Sequence, residues 1–145
     1  MSQEESLQLL NKHRSVRPIS PHLTIYRYPL NMYMSISNRI TGAALSAGLY
    51  AGAIAYVGLP YLGLGDAVSA SSVVGFAAGL PLWAKLGAKT ALAVPFAYHT
   101  INGVRHLIWD TGRLLSLPKM QVSGITTLVA TGLSTVGLVG YGIYW

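Results

Sequence analysis

The sequence predicts an all-α membrane protein with three transmembrane helices, and three observations carry that prediction. Only 10% of the 145 residues are charged while 52% are hydrophobic, whereas an average soluble domain carries roughly 25% charged residues. Three apolar runs, 34–59, 80–108 and 122–144, each reach the ~20 residues needed to cross a bilayer core. The basic residues (10 Lys and Arg against 4 Asp and Glu) lie mostly outside those runs, a pattern that the positive-inside rule explains better than nucleic-acid binding does. The partner implied is therefore membrane lipid, and no nucleic acid.

Residues 1–33 form a polar N-terminal segment and residues 34–145 the membrane anchor. The opening Met1-Ser2-Gln3-Glu4-Glu5-Ser6 has neither the apolar core of a secretory signal nor the Arg-rich, acid-poor composition of a transit peptide. The first span, 34–59, closes at Gly58-Leu59-Pro60. The stretch 66–78 is small and weakly amphipathic and reads as a short surface helix. The second span, 80–108, has Trp83 and Trp109 near its ends as interfacial anchors. Pro95 should kink it, as packed neighbours allow in a membrane. The third span, 122–144, finishes among Tyr141, Tyr144 and Trp145. Gly42, Gly48 and Gly52 in the first span, with Gly124, Gly132, Gly137 and Gly140 in the third, suit close helix packing.

Lys12, Arg14, Arg17, Arg27 and Arg39 precede or open the first span, and Arg105, Arg113 and Lys119 flank the loop between the second and third. The loop between the first and second spans, 60–79, holds only Asp66. The N-terminus and the second loop should therefore face the matrix or cytoplasm, and the C-terminus the opposite side. Lys85 and Lys89 run against this trend and are expected to snorkel from the outer end of the second span. The chain has no cysteine, which excludes disulfides, cysteine-ligated iron–sulfur clusters and thiolate-ligated haem.

Two polar stripes interrupt the apolar runs. Ser35, Arg39, Gly42 and Ser46 recur at i, i+4, i+7 and i+11 and share one helical face. An arginine costs about 2.5–3.5 kcal/mol at a helix centre and less near an end. Arg39 is open to two readings: a side chain snorkelling to headgroups, or a guanidinium that polarises a quinone carbonyl beside the Ser35 hydroxyl. His99, Gly103 and His106 recur at i, i+4 and i+7, with Gly103 leaving room for a flat macrocycle. A histidine at this depth either bonds a neighbouring helix or ligates a metal, with haem iron the obvious candidate. His106 is on the same helix and cannot sandwich one iron with His99, while His13 and His22 lie outside the membrane. If His99 binds haem, the second axial ligand comes from another chain, and this chain is half of a hetero-dimeric haem-binding helix bundle.

Two motifs, RPISPHLTIY at 17–26 continued by SISNRITG at 35–42, and HTINGVRHLIWD at 99–110, together closely resemble the large cytochrome b membrane-anchor subunits (cytochrome b560) of succinate dehydrogenase, respiratory complex II. The likeness runs from about Arg17 to the C-terminus. It implies one haem b shared with a small cytochrome b anchor subunit, with His99 as the axial ligand and His106, Arg105 and Arg39 near the propionates. Ser35, Ile36 and Arg39 would form part of the site for quinone, the substrate. No catalytic residue is assigned beyond these. The family usually has histidine where this chain has Asn38, which removes a titratable group near the quinone. The N-terminal segment would pack on the iron–sulfur subunit, which receives electrons from succinate through the flavoprotein subunit. The chain would lie in the mitochondrial inner membrane with its N-terminus in the matrix, a bacterial inner membrane being the alternative. A structural anchor or assembly protein without its own cofactor is the competing reading. A small transporter is disfavoured, because three spans hold no inverted repeat.

Overall fold

The computed structural model describes residues 2–141, so Tyr144 and Trp145, expected at the end of the third span, lie outside the described residues. The regular elements among the described residues are all helical, with no strand. The polar N-terminal segment begins with α1 (Gln3–Ser15). Ser2 and Glu5 form a reciprocal capping box at its start, satisfying two of the backbone donors that a helix N-terminus leaves open. A single 3-10 turn, His22–Ile25, follows, and the whole stretch from Ser2 to Leu30 is exposed.

The first long helix, α2 (Leu30–Gly58), starts four residues earlier than the apolar run suggests. Pro29, in an extended conformation, stands just before it, since a proline suits a helix start where no N–H is needed. Two 3-10 turns, Leu59–Leu62 and Gly65–Val68, lead into α3 (Ala70–Gly79). The Ser69 hydroxyl caps α3 by accepting from the Ser72 N–H at 3.3 Å. The Lys85 ammonium donates to the Ala78 carbonyl at the other end of α3, at 2.9 Å, a favourable place for a cation. Helix α4 (Leu82–Asp110) begins and ends two residues later than the expected stretch 80–108 and contains Pro95. The last, α5 (Leu117–Tyr141), begins five residues before the apolar run does.

Helices α2, α4 and α5 pack against one another as an up-down-up bundle, with α4 antiparallel to the other two. Met34 of α2 meets Asn102 and Arg105 of α4, whereas Asn38 and Gly42 meet His99. Arg105 in turn meets Met120 and Ser123 at the start of α5, and Phe96 lines a cleft with Leu138 near its end.

The distribution of polarity is inverted relative to a soluble domain. The buried side chains include Asn102, Arg105, Thr127 and Thr131, while Leu49, Ile54, Leu92, Leu133 and Val136 each stand between 68% and 72% exposed. An apolar exterior around a polar interior is what a lipid solvent selects. Among the described residues, 30–62 and 117–141 are helical, long and apolar enough to cross a membrane, with mean hydropathies of 1.5 and 1.6. Helix α4 has the length, 29 residues, but Lys85, Lys89, Asn102, Arg105 and both histidines lower its hydropathy.

The glycines do not share one role. A Cβ on Gly124 would come within 3.1 Å of the Met34 Sδ, so α5 closes on α2 there. Gly48, Gly52, Gly132 and Gly137 would meet nothing within 4 Å, so their contribution is not packing within this chain.

Candidate functional site

Helix α4 carries two polar stripes side by side. Tyr98, Asn102 and Arg105 sit at i, i+4 and i+7, and so do His99, Gly103 and His106, one residue and therefore about 100° further round. The first stripe is buried, at 8%, 0% and 4% exposure. The second is half-buried. One stripe holds this chain together and the other is left at its edge.

Arg105 is the centre of the buried stripe. Its Nε donates to the Ser123 hydroxyl (2.9 Å), one terminal nitrogen to Asn102 Oδ1 (3.3 Å) and toward the Met34 sulfur (3.8 Å), and the other to Asn31 Oδ1 (2.6 Å) and the Met120 carbonyl (2.8 Å). Its guanidinium also lies 4.2 Å from the centroid of the Trp109 ring. A guanidinium has five N–H donors, and all are directed at acceptors on α2, α4 and α5. The expectation that Arg105 meets a propionate therefore has to share it with these partners. Around it, Tyr98 donates to the Met34 carbonyl at 2.7 Å and Asn102 Nδ2 to the same carbonyl at 3.4 Å.

His99 faces α2. Its Nδ1 lies 2.9 Å from the Asn38 carbonyl oxygen. A carbonyl can only accept, so Nδ1 carries the proton; in the neutral form of the ring Nε2 then keeps its lone pair. That is the tautomer in which an axial histidine ligates iron through Nε2, with a backbone carbonyl as the outer partner. The ring lies against Gly42, so close that a Cβ there would fall 2.5 Å from His99 Cε1. The Asn38 side chain adds a buried Oδ1 that has no hydrogen-bond partner among the described residues. Unpaired buried acceptors are rare and call for a donor. The fit to a haem rests on the imidazole alone, whose Nε2 can ligate iron while Nδ1 is held by the Asn38 carbonyl; the Asn38 Oδ1 calls for a donor, which a haem does not bring.

His106 repeats the arrangement. Its Nδ1–H donates to the Asn102 carbonyl one turn back at 2.7 Å, again leaving Nε2 free, and its ring meets Trp109 edge-on at 4.8 Å. Gly103, between the two histidines, would meet nothing within 4 Å if it had a side chain.

On α2, Ser35 is half-buried and Arg39 and Ile36 are exposed. Ser35 and Arg39 share their helix face with Gly42, against which His99 rests, and Ile36 lies about 100° round from Ser35. The structure thus brings the Ser35–Arg39 stripe and His99 to the same part of the α2 surface, while His106 stands two turns along α4, towards the end where α2 begins.

Sequence reasoning missed the buried stripe. Asn31, Tyr98, Asn102 and Ser123 were not singled out, although the i, i+4, i+7 spacing of Tyr98, Asn102 and Arg105 was legible. The space expected at Gly103 is open, and the close approach of His99 to Gly42 is an additional feature that the spacing did not reveal. Asn38 entered only as a departure from a pattern, whereas its backbone carbonyl is what holds His99.

The model of the succinate dehydrogenase/fumarate reductase transmembrane subunit family matches residues 13–139. The chain is similar to the mitochondrial succinate dehydrogenase cytochrome b560 subunit of Sus scrofa, 44% identical over 140 residues, covering 94% of this chain and 79% of that one. It is 37% identical to the mitochondrial succinate dehydrogenase cytochrome B subunit of Schizosaccharomyces pombe over 135 residues, covering 93% and 74%. It is also 35% identical to the mitochondrial inner membrane protein SHH3 of Saccharomyces cerevisiae over 130 residues, covering 90% and 66%.

Proposed function

The chain belongs to the family of succinate dehydrogenase/fumarate reductase transmembrane subunits, and from that premise we propose that it is the large membrane-anchor subunit of a succinate:quinone oxidoreductase. In this reading α2, α4 and α5 are three spans of the mitochondrial inner membrane, with the bacterial inner membrane as the alternative location. Alternating helix direction supports that count. The end where Arg105 joins the start of α2 to the start of α5 carries Arg27, Arg113 and Lys119, which supports a matrix-side position for it and for the N-terminal segment. The exposed stretch 2–30, where Leu7, Leu10, Ile19 and Leu23 stand open, packs on the iron–sulfur subunit. The flavoprotein subunit completes the soluble part, and a small cytochrome b anchor subunit lies beside the bundle.

The observation that carries the proposal is the His99 geometry: Nδ1–H held by the Asn38 carbonyl at 2.9 Å, Nε2 free. His99 would hold haem b through Nε2, and a histidine of the small anchor subunit would hold it from the other chain. Haem b, when bound, supplies a one-electron carrier next to the quinone. The Asn38 carbonyl raises the basicity of the imidazole and fixes its orientation. His106, when protonated at Nε2, and the Arg39 guanidinium offer donors to propionates. Arg105 acts on the same site from behind, holding Trp109 and through it the His106 ring.

Quinone is the substrate. It takes up two electrons and two protons when reduced. Arg39 stabilises the negative charge that develops on one carbonyl oxygen, Ser35 donates a hydrogen bond to that oxygen, and Ile36 lines the pocket. Asn38 cannot supply a proton, so the protons come from water or from another subunit.

The competing reading is an anchor or assembly protein without a cofactor. The hydrogen bond from His99 to α2 is a helix–helix bond of the kind it requires, and the S. cerevisiae relative is named as an inner membrane protein. The optical spectrum separates the two. The purified complex should show a reduced-minus-oxidised b-type spectrum that His99→Ala abolishes or greatly weakens. A complex without that spectrum refutes haem binding, and unchanged haem in His99→Ala refutes the ligand assignment.

A further inference from the structure

We propose that Gly42 is a positioning residue for His99: by lacking a side chain it opens a window in α2 through which the imidazole reaches the Asn38 carbonyl and is set in a single plane. The inference rests on the ligand reading of His99 above. The window follows from helix geometry. In an α-helix the N–H of residue 42 bonds the carbonyl of residue 38, and the Cα–Cβ bond of residue 42 tilts toward the helix N-terminus, over that same turn. Any side chain at 42 therefore roofs the Asn38 carbonyl. With glycine there, that oxygen accepts a second, lateral hydrogen bond from His99 Nδ1–H at 2.9 Å.

The distances leave little latitude. A Cβ on Gly42 would stand 2.5 Å from His99 Cε1, 3.0 Å from Nδ1 and 3.2 Å from Nε2. All three atoms belong to a rigid ring, so no single flexible atom can move aside. The ring itself must rotate or withdraw. Withdrawal breaks the bond to Asn38, and with it the preference for the Nδ1–H tautomer that leaves Nε2 free. Elsewhere on α2 the cost disappears, since Gly48 and Gly52 would meet nothing within 4 Å. Gly42 is thus distinguished by its neighbour and not by the general small-residue character of the helix.

The loss of an outer partner of a metal-bound histidine typically costs about 10–100-fold in affinity, so Gly42→Ala should weaken haem retention by about tenfold or more. The experiment uses the whole purified complex. Gly42→Ala is expected to lower the haem-to-protein ratio, and to shift the midpoint potential and the low-spin electron paramagnetic resonance signal of the haem that remains. Gly48→Ala should leave all three unchanged. A wild-type potential, signal and haem content in Gly42→Ala would overturn the proposal.

Should Gly42→Ala fail to assemble, the double variant decides. With His99→Ala the ring is gone and a methyl group at position 42 has room, so His99→Ala with Gly42→Ala should assemble with the same thermal stability as His99→Ala alone. Failure or further destabilisation of the double variant overturns the proposal. Retention of haem by His99→Ala defeats the ligand reading instead, so the two failures are distinguishable.

Discussion

Replacing Arg105 by alanine should loosen all three long helices at once. The side chain is 4% exposed, and it reaches Asn31 on α2, Asn102 on its own helix, and Met120 and Ser123 on α5, at 2.6–3.3 Å. Every one of those acceptors is neutral, so the arrangement is a set of charge-to-dipole hydrogen bonds and not an ion pair. Side-chain hydrogen bonds inside membrane bundles average about 0.6 kcal/mol, because the unfolded helices also find partners. The stacking on Trp109 contributes about 0.5–1 kcal/mol. The loss should therefore be about 3 kcal/mol, and larger if the abandoned oxygens are left without donors. Arg105→Lys should recover less than half of it, since an ammonium has three donors on a point charge and cannot reach both α2 and α5 in one plane. Thermal unfolding of the detergent-solubilised complex measures the effect, as a midpoint lowered by about 5–10 °C in Arg105→Ala. The surface variant Arg113→Ala serves as the control. Equal midpoints in Arg105→Ala and Arg113→Ala would refute the idea that this guanidinium ties the bundle together.

Arg39→Ala should depress quinone reduction about 10–100-fold, the scale of one lost oxyanion donor or less, while succinate oxidation with an artificial acceptor is spared. Equal loss in both assays would remove Arg39 from the quinone site. Tyr98→Phe deletes a 2.7 Å bond to the Met34 carbonyl and should cost about 1 kcal/mol. The cost should be small in thermal unfolding because Asn102 still donates to that carbonyl. Ser2→Ala removes the side-chain half of the capping box and should destabilise α1 by about 1 kcal/mol, seen as faster amide exchange confined to the first turns of α1. Unchanged exchange there would mean that a partner surface, and not the cap, holds the helix.

Much of the architecture was legible in the chain. Apolar runs of sufficient length with polar ends dictate long helices wherever lipid is the solvent, because each backbone group must then be satisfied within its own helix. The helix starts proved earlier than the runs, at Leu30 and Leu117. Polar residues such as Asn31 and Gln121 continue a helix as readily as apolar ones, and hydropathy does not register them. The cap at Ser2 and Glu5 is legible in the S-x-x-E spacing, since it depends on neighbouring residues alone.

The candidate site residues were likewise legible in the sequence: one histidine deep in an apolar helix, an arginine and a serine on one face of another, and no cysteine. The facing of those residues was not. Two stripes with the same i, i+4, i+7 spacing lie side by side on α4, and periodicity cannot say which turns inward. Packing decided it. The Tyr98–Asn102–Arg105 stripe carries more donors than one helix can satisfy, so it turned to the acceptors of α2 and α5. His99 and His106 were then carried to the edge, where a neighbour can reach them. The depth of His99 came from the sequence alone. Its tautomer, its free Nε2 and its seat on Gly42 depend on a carbonyl sixty-one residues away, and only the approach of α2 to α4 could bring that oxygen to it.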